Sequence, residues 1–193
     1  MTERSVSDLL EGCRRGNQAA MKAFYERYYG YALSVCLAYA NDREDARELL
    51  NDGFLKIFRN LKELKNEAVL LPWLRRIMVN TAIDHHRRAL KRAVEIPVEA
   101  VEYRLEEPYL NDEALFAQLS AENILSVLQQ LPLPYRLVFS LYVLEGYSHR
   151  EIAERLHLAE STSRAHLTEA NRLMRRVLKA QINEDYERTN RRR

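Results

Sequence analysis

The chain has 193 residues, of which 47% are hydrophobic and 30% are charged, and its net charge is +2. The chain contains only 5 glycines and 5 prolines, and this composition excludes a disordered chain and favours helices around a buried core. Its 2 cysteines form no CxxC pair, which excludes a disulfide framework and a cysteine zinc site. A signal-peptide core and a bilayer-length apolar run are both absent, so we expect a cytoplasmic protein without stable membrane insertion.

The first part of the chain is predicted to form four helices in one domain. Apolar residues recur at intervals of three and four, which is the spacing of amphipathic helices. Gly16-Asn17 is typical of a helix end, Asn41-Asp42 ends one helix and caps the next, and Pro72 fits a first helical turn. The predicted helices cover residues 5–15, 18–40, from Asp42 to about Asn60, and 72–90, within a domain of residues 1–93.

An acidic linker is predicted over residues 94–113. Asp and Glu are frequent there against the single Arg104, and Pro97 and Pro108 interrupt any helix. An acidic connector with no role of its own is the alternative interpretation. A second helical domain is predicted over residues 114–182, followed by a basic tail at 183–193 that we expect to be frayed and solvated.

The second domain is predicted to contain a helix-turn-helix. Ser148 and Glu151 match the S-x-x-E pattern of a capping box, which opens one helix. A short turn follows, and a second helix begins near Ser161. Such a pair of short helices joined by a tight turn is typical of DNA-binding proteins. The helices predicted before the motif cover 115–130 and 135–144, broken by Leu131-Pro132-Leu133-Pro134 and stopped by Gly146.

The second helix of this motif has a polar and basic start. Hydroxyl groups at a helix N-terminus suit phosphates and base edges, and cations farther along the helix neutralise phosphates. A purely structural helix-turn-helix is the alternative. The predicted outer face of the second helix consists of Ser161, Thr162, Arg164, Ala165 and Thr168, and the predicted phosphate-binding cations are Arg172, Arg175, Arg176 and Lys179. The predicted buried face of the first helix consists of Ile152, Ala153 and Leu156. That of the second helix consists of Ser163, Leu167, Ala170, Met174 and Val177.

Two surfaces of the first domain differ in charge. Between residues 75 and 92 cations dominate, Asp84 is the only acid, and Trp73 begins the helix. A basic helix beside an aromatic side chain suits single-stranded nucleic acid, although a lone tryptophan is also common in cores. The preceding helix carries acidic and polar residues at helical spacing, a face that is either solvated or a protein interface. That face consists of Glu48, Asn51, Asp52 and Leu55.

Three stretches resemble the extracytoplasmic-function class of bacterial RNA polymerase sigma factors, in the order found in that family. The first is similar to the family's polymerase-clamp-binding helix and reads DREDARELLNDGFLKIF. The second resembles its promoter-melting and minus-ten helix and reads PWLRRIMVNTAIDHHRR. The third resembles its minus-thirty-five helix-turn-helix and reads LPLPYRLVFSLYVLEGYSHREIAERLHLAESTSRAHLTEANRLMRR. The resemblance implies an all-α fold with a sigma domain 2-like bundle and a sigma domain 4-like helix-turn-helix, joined by the acidic linker.

The resemblance also implies a function for each surface. The acidic face would bind the coiled coil of the polymerase's largest subunit, a loop within residues 62–71 would capture a flipped minus-ten base, and the linker would thread toward the active channel. The partners implied are core RNA polymerase, promoter DNA and an anti-sigma factor, with no catalytic residue, metal or cofactor. The implied minus-ten residues are Lys65, Asn66, Glu67, Ala68, Trp73, Arg76, Asn80, Asp84, Arg87 and Arg88, and the implied minus-thirty-five residues are Ser161, Thr162, Arg164, Ala165, Thr168 and Glu169.

Some residues depart from the family's pattern. Asn51-Asp52 stands where the family often has Gln-Glu, which keeps the chemistry with shorter side chains. Gly53 replaces an apolar β-branched residue and costs up to ~1 kcal/mol of helix propensity. Ser163 replaces an apolar residue. Glu169 stands where many members have arginine, and its carboxylate would repel phosphate or accept a hydrogen bond from a cytosine amino group.

Two other classes of protein compete with this interpretation. A stand-alone helix-turn-helix regulator explains the second domain equally well, but explains neither the acidic face, nor the basic helix, nor the linker. An enzyme is suggested only by Asp84-His85-His86, which resembles a metal-dependent phosphoesterase motif. Consecutive residues on a helix point in different directions, however, so we expect no enzymatic site.

Overall fold

The computed structural model describes residues 5–92 and 121–190, which form helices and turns without a strand. The chain divides into two compact units, Met1–Leu90 and Lys91–Arg193. The fold is all-α with two helical units, as predicted. The acidic linker predicted over 94–113 lies outside the described residues, as do residues 115–120 of a predicted helix. Within the described ranges, no helix is long and apolar enough to span a membrane.

The first unit begins with two helices joined by a tight turn. Helix α1 (Val6–Arg14) is capped by Ser5, whose side chain accepts a hydrogen bond from a backbone amide of the first turn. Gly16 has a φ of +73°, the left-handed conformation that glycine adopts without strain. Asn17 then caps α2 (Gln18–Leu37), so the predicted boundary at Gly16-Asn17 is confirmed.

Helix α2 ends at Leu37, before the predicted end at Ala40. The chain turns at residues 38–40 because Tyr39 is fully buried, and its carbonyl oxygen lies 2.7 Å from Nε2 of His86. In the turn, the amides of Tyr39 and Ala40 both donate to the carbonyl of Cys36, at 2.9 and 3.0 Å. The turn therefore places a large aromatic ring in the core of the first unit.

Helix α3 (Arg43–Asn60) begins after Asp42, whose carboxylate accepts hydrogen bonds from the backbone amides of the first turn. Two short 3₁₀ turns, Leu61–Glu63 and Glu67–Val69, lead to α4 (Leu70–Arg92). Pro72 lies in the first turn of α4, where its missing N–H costs nothing. Along α3 the residues spaced three and four apart are buried at Ala46, Leu50, Gly53, Phe54 and Ile57, and Leu61 directly after the helix is buried as well.

Gly53 allows α3 to approach α4 closely. A Cβ atom built on Gly53 would lie 2.2 Å from Sδ of Met78, which is fully buried in α4. From the sequence alone this glycine counts as a cost in helix propensity. In the structure its missing side chain leaves the space that Met78 fills, and a β-branched residue there would require the Met78 side chain to move.

In the second unit, α5 (Ala121–Gln129) is followed by α6 (Leu133–Phe139), which begins before the predicted start at Tyr135. The prediction treated Pro134 as a helix breaker. Pro134 instead occupies the first turn of α6, where the backbone N–H has no partner within the helix. A π-helical turn, Ser140–Leu144, continues this helix.

Helices α7 (His149–Leu156) and α8 (Glu160–Asn190) form the predicted helix-turn-helix. Helix α7 ends at Leu156, and His157 after it has a left-handed φ of 55°. Helix α8 continues to Asn190, so the predicted fraying is wrong over residues 183–190. Neither glycine nor proline follows the start of α8, so nothing in the sequence interrupts the helix.

The buried faces of α7 and α8 match the prediction except at two positions. Ala153 and Val177 are only half-buried. Ala153 follows the buried Ile152 by one residue, which rotates it about 100° around the helix. On α8 the stripe continues four residues after Met174, at Leu178. The confirmed buried residues are Ile152, Leu156, Ser163, Leu167, Ala170 and Met174.

Candidate polymerase and nucleic-acid interfaces

The side of α3 opposite its buried stripe carries the predicted polymerase-binding face. Glu48, Asn51, Asp52 and Leu55 are all exposed there, Leu55 by 54%. The hydroxyl of Tyr25 donates a hydrogen bond to Oδ1 of Asn51 at 3.3 Å, which links α2 to this face. The structure thus places an exposed leucine among two carboxylates and an amide, and we call these four residues the acidic face.

The predicted base-capturing loop precedes α4. Residues 65–68 are exposed, and Oδ1 of Asn66 accepts a hydrogen bond of 2.9 Å from the amide of Ala68, which opens the 3₁₀ turn. Beside the loop, Val69 and Leu71 are 48% and 45% exposed. Sequence reasoning did not single out these two apolar side chains. The sequence does contain a signal for their exposure, because the apolar run AVLL at residues 68–71 is too long for all of its side chains to be buried on one helix face.

Side chains of α4 that were predicted to contact minus-ten DNA have different environments. Arg76 and Arg88 are exposed, whereas Trp73, Asn80 and Arg87 are half-buried. Trp73 therefore presents part of its ring at the surface rather than filling the core. The exposed guanidinium groups are free of the steric limits of the core and can reach phosphates.

Asp84, His85 and His86 make contacts in different directions. Asp84 forms an ion pair of 3.0 Å with Lys56 of α3, whereas His86 is buried and contacts a backbone carbonyl. His85 lies toward Asp45, with 3.6 Å between Nδ1 and Oδ1. The three consecutive residues therefore do not form a phosphoesterase site. The ion pair with Lys56 also means that Asp84, which was predicted to lie near DNA, links α4 to α3.

The helix-turn-helix begins with the predicted capping box. The side chain of Ser148 accepts a hydrogen bond from the amide of Glu151, and the carboxylate of Glu151 accepts one from the amide of Ser148 at 2.8 Å. Hydrogen bonds from the backbone and side chain of Ser148 hold the pKa of Glu151 below its ordinary value. This reciprocal cap fixes where α7 starts and hence where the turn before α8 falls.

The first turns of α8 carry the predicted minus-thirty-five residues. Ser161, Arg164 and Thr168 are exposed, whereas Thr162 and Ala165 are half-buried. The structure therefore divides the predicted face into three exposed side chains and two half-buried ones.

Two ion pairs organise the charges on this helix. Arg164 pairs with Glu160, and Nε of Arg172 lies 3.0 Å from each carboxylate oxygen of Glu169. Hydrogen bonding to Arg172 holds the pKa of Glu169 below its ordinary value. Glu169 is thus a carboxylate paired with Arg172 rather than an isolated negative charge. Ion pairs near a protein surface are individually weak, because solvent screens them.

Ser163 is a buried contact between the two helices of the motif. Its hydroxyl lies 3.0 Å from Nδ1 of His149 at the start of α7, and Tyr142 stacks on the same imidazole with 4.7 Å between ring centroids. The sequence showed only that Ser163 replaces an apolar residue. The structure shows that its hydroxyl satisfies a buried histidine, which links α8 to α7.

Comparison with known proteins gives consistent matches. The family described as Sigma-70 region 2 matches residues 24–92, and Sigma-70, region 4 matches residues 121–174. The RNA polymerase sigma-H factor of Pseudomonas aeruginosa is 22% identical over 191 residues, covering 95% of this chain and 99% of that protein. The ECF RNA polymerase sigma factor SigM of Mycobacterium tuberculosis is 28% identical over 176 residues, covering 91% and 86%. A solved structure of CnrH in complex with the cytosolic domain of CnrY has 21% identity and a TM-score of 0.41, covering 89% of this chain and 96% of that one.

Both regions match this chain, region 2 before region 4, and the Pseudomonas aeruginosa sigma-H factor aligns with it nearly end to end; together these matches decide the family. The chain belongs to the extracytoplasmic-function class of RNA polymerase sigma factors. In this sigma factor, region 2 includes the acidic face, the exposed loop and the whole of α4. Region 4 includes α5 to α7 and the start of α8, and with them the helix-turn-helix.

We expect the helix-turn-helix of this sigma factor to lose stability in mild acid. Burial, and next the charge of Arg164, lower the pKa of His149 below its ordinary value of about 6.5. The unfolded chain then binds more protons than the folded one. The stabilisation is therefore present above about pH 6.5 and is lost as the pH falls through the folded pKa. Burial lowers the pKa of His166 in the same direction.

Chemical denaturation at several pH values checks this expectation. The variant His149→Gln keeps a hydrogen-bonding group beside Ser163 but does not titrate, so its free energy of unfolding should depend less on pH than that of the unmodified protein. His157→Asn is the matched control, because His157 is exposed and asparagine tolerates its left-handed backbone. Equal pH dependence in the unmodified protein and His149→Gln would contradict the assignment.

Proposed function

We propose that this sigma factor binds core RNA polymerase through the acidic face of α3 and thereby directs the polymerase to promoters. The supporting observation is Leu55, which is 54% exposed among Glu48, Asn51 and Asp52. Protein interfaces commonly bury an apolar centre inside a polar rim, and their charges steer a partner of opposite sign. A merely solvated face does not need an exposed leucine beside its carboxylates.

Gel filtration of the purified chain with bacterial core RNA polymerase tests this proposal. We expect the two to comigrate at low salt, because charged contacts are screened as ionic strength rises. A stand-alone regulator would instead bind duplex promoter DNA by itself and elute apart from the polymerase. That outcome would replace the polymerase-binding role with the alternative function.

We propose that the loop at residues 65–68 and the exposed part of α4 engage the minus-ten element. The support is an exposed loop flanked by apolar Val69 and Leu71, with Arg76 and Arg88 exposed on the helix that follows. Apolar side chains suit the faces of unpaired bases, and guanidinium groups suit the phosphates that accompany them. Binding of unpaired bases would offset the cost of melting the duplex.

We propose that α8 reads the minus-thirty-five element in the major groove. Ser161, Arg164 and Thr168 are the exposed side chains at its start, and cations continue along the helix. Arg164 is the side chain with the reach and the paired donors to contact a guanine edge. The sigma factor itself performs no chemistry in this proposal, and an anti-sigma factor, as implied by the family, is its expected regulator.

We expect Arg164→Ala to weaken the preference for the correct minus-thirty-five sequence by about tenfold, as loss of one base contact does. Binding to core polymerase should be unchanged, because Arg164 lies outside the first unit. The measurement compares holoenzyme binding to promoters with intact and scrambled minus-thirty-five elements.

Arg150→Ala is the matched control for this experiment. Arg150 is exposed on α7 and pairs with Glu154 at 3.7 Å. Arg150 is not among the predicted base-contacting residues, so its removal should leave the sequence preference intact; loss of a phosphate contact would weaken binding to all sequences alike. Equal effects of the two substitutions on sequence preference would count against the role assigned to Arg164.

A further inference from the structure

Three potential metal ligands converge between α3 and α4. Asp45 and Glu48 lie one turn apart on α3, and His85 faces them from α4. One nitrogen or oxygen atom from each residue lies within 4.8 Å of the other two. His85 is distant in sequence from the two carboxylates, and only the packing of the two helices brings its imidazole to them.

Asp45 is held in an orientation suited to a metal ligand. Its Oδ2 accepts hydrogen bonds from the backbone amide and the side-chain amide of Asn41, at 2.8 and 3.0 Å. Its other oxygen, Oδ1, is directed at Nδ1 of His85, and the Asp45 side chain is only 12% exposed. A carboxylate held through one oxygen with the other free is the arrangement that neighbouring hydrogen bonds give to metal-binding carboxylates.

His85 has an unsatisfied atom at the same point. Its Nδ1 is buried and has no hydrogen-bond partner among the described residues. The distance of 3.6 Å to Oδ1 of Asp45 is too long for a hydrogen bond. It is close to the spacing of about 3.3 Å between two atoms that bind the same zinc ion at ~2.0 Å in tetrahedral geometry. Glu48 is exposed, and its longer side chain is free to close the remaining gap.

The donor set indicates the kind of ion. One imidazole and two carboxylates suit a first-row divalent cation, and zinc binds such nitrogen and oxygen sites tightly. Among the described residues, the converging ligand atoms are those of Asp45, Glu48 and His85, and the buried thiol of Cys36 is not one of them. We propose that Asp45, Glu48 and His85 bind one Zn²⁺ ion, with water in the remaining position.

Zinc at this site would act on polymerase binding through Glu48. Because Glu48 belongs to the acidic face, a bound ion would neutralise and restrain one of its carboxylates. Binding of core polymerase should therefore weaken when zinc is present. This consequence rests on the function proposed for the acidic face, whereas zinc binding itself does not.

Calorimetric titration of the untagged, chelator-treated full chain with Zn²⁺ tests the site. We expect one ion per chain, a visible absorption spectrum typical of tetrahedral coordination when Co²⁺ is used instead, and affinity at least about tenfold weaker for His85→Gln. Asp45→Asn should weaken binding similarly, because it removes a charged ligand. The amide oxygen of the new side chain can still accept hydrogen bonds from Asn41, so the local structure should be kept. The control His157→Asn removes an exposed histidine elsewhere and should bind like the unmodified protein.

The outcomes separate zinc binding from polymerase binding. The site is overturned if the unmodified chain fails to bind one equivalent, or if His85→Gln binds equally well. If both proposals hold, zinc weakens comigration with core polymerase for the unmodified chain but not for His85→Gln. Zinc binding with unaltered comigration would refute the effect through Glu48. Failure to bind polymerase even without zinc would refute the proposed function and leave the titration result standing.

Discussion

We expect Asp52→Arg to weaken binding to core RNA polymerase by at least about 100-fold, which is ~3 kcal/mol of binding free energy. Asp52 is exposed beside Leu55 in the acidic face, so the substitution places a cation where a basic partner surface would dock. The loss combines a missing attraction with a new repulsion. The measurement is an equilibrium titration of labelled core polymerase with the sigma factor at fixed salt.

Folding should be nearly unaffected by this substitution, because an exposed side chain away from the core contributes little to stability. The helical circular dichroism signal and the midpoint of unfolding serve as internal checks. Glu63→Arg is the matched control, since it makes the same change in charge at an exposed position of the first unit. Equal weakening by Glu63→Arg would show a general effect of net charge, and a collapsed spectrum for Asp52→Arg would show a structural role.

We expect Gly53→Val to destabilise the first unit by about 3 kcal/mol, the upper end for overpacking a core. Valine is the kind of residue that the family usually has here, and it has a better helix propensity than glycine. Its Cβ would nevertheless meet Sδ of Met78 at 2.2 Å, in a core where Met78 has no exposed surface to move into. Steric overlap therefore outweighs the gain in propensity.

A double-mutant cycle with Met78→Ala checks the cause. Met78→Ala alone should cost roughly 2–5 kcal/mol because it leaves a cavity. Valine at position 53 would fill part of that cavity, so the double variant should be more stable than the sum of the single effects by over about 1 kcal/mol. Urea unfolding gives each free energy. Additive effects would show that Met78 does not set the requirement for glycine.

Local signals in the sequence predicted where most helices begin and which faces they bury. Asp42, Asn17 and the Ser148–Glu151 pair are caps whose hydrogen bonds form within one turn of chain, so residues next to each other in sequence suffice to specify them. Two helix boundaries were predicted wrongly, one because it depends on a residue distant in sequence and one because a proline was taken as a helix breaker. Helix α2 stops early because Tyr39 turns into the core, and α6 starts early because Pro134 is compatible with a first turn.

The functional surfaces were predictable to the extent that each lies on one helix. Glu48, Asn51, Asp52 and Leu55 are exposed together because residues three and four apart share a helix face. The same reasoning places Ser161, Arg164 and Thr168 together at the start of α8. The functions assigned to these surfaces stay predictions, and the substitutions proposed above test them.

The sequence by itself determined the all-α class, the caps, the amphipathic faces and the family, because each depends on neighbouring residues or on motifs in a fixed order. Only the tertiary structure decided that Gly53 accommodates Met78, that Ser163 satisfies His149, and that His85 meets Asp45 rather than Asp84. These contacts join residues 14 to 40 positions apart. Such pairs depend on how two helices pack, which periodicity within either helix does not specify.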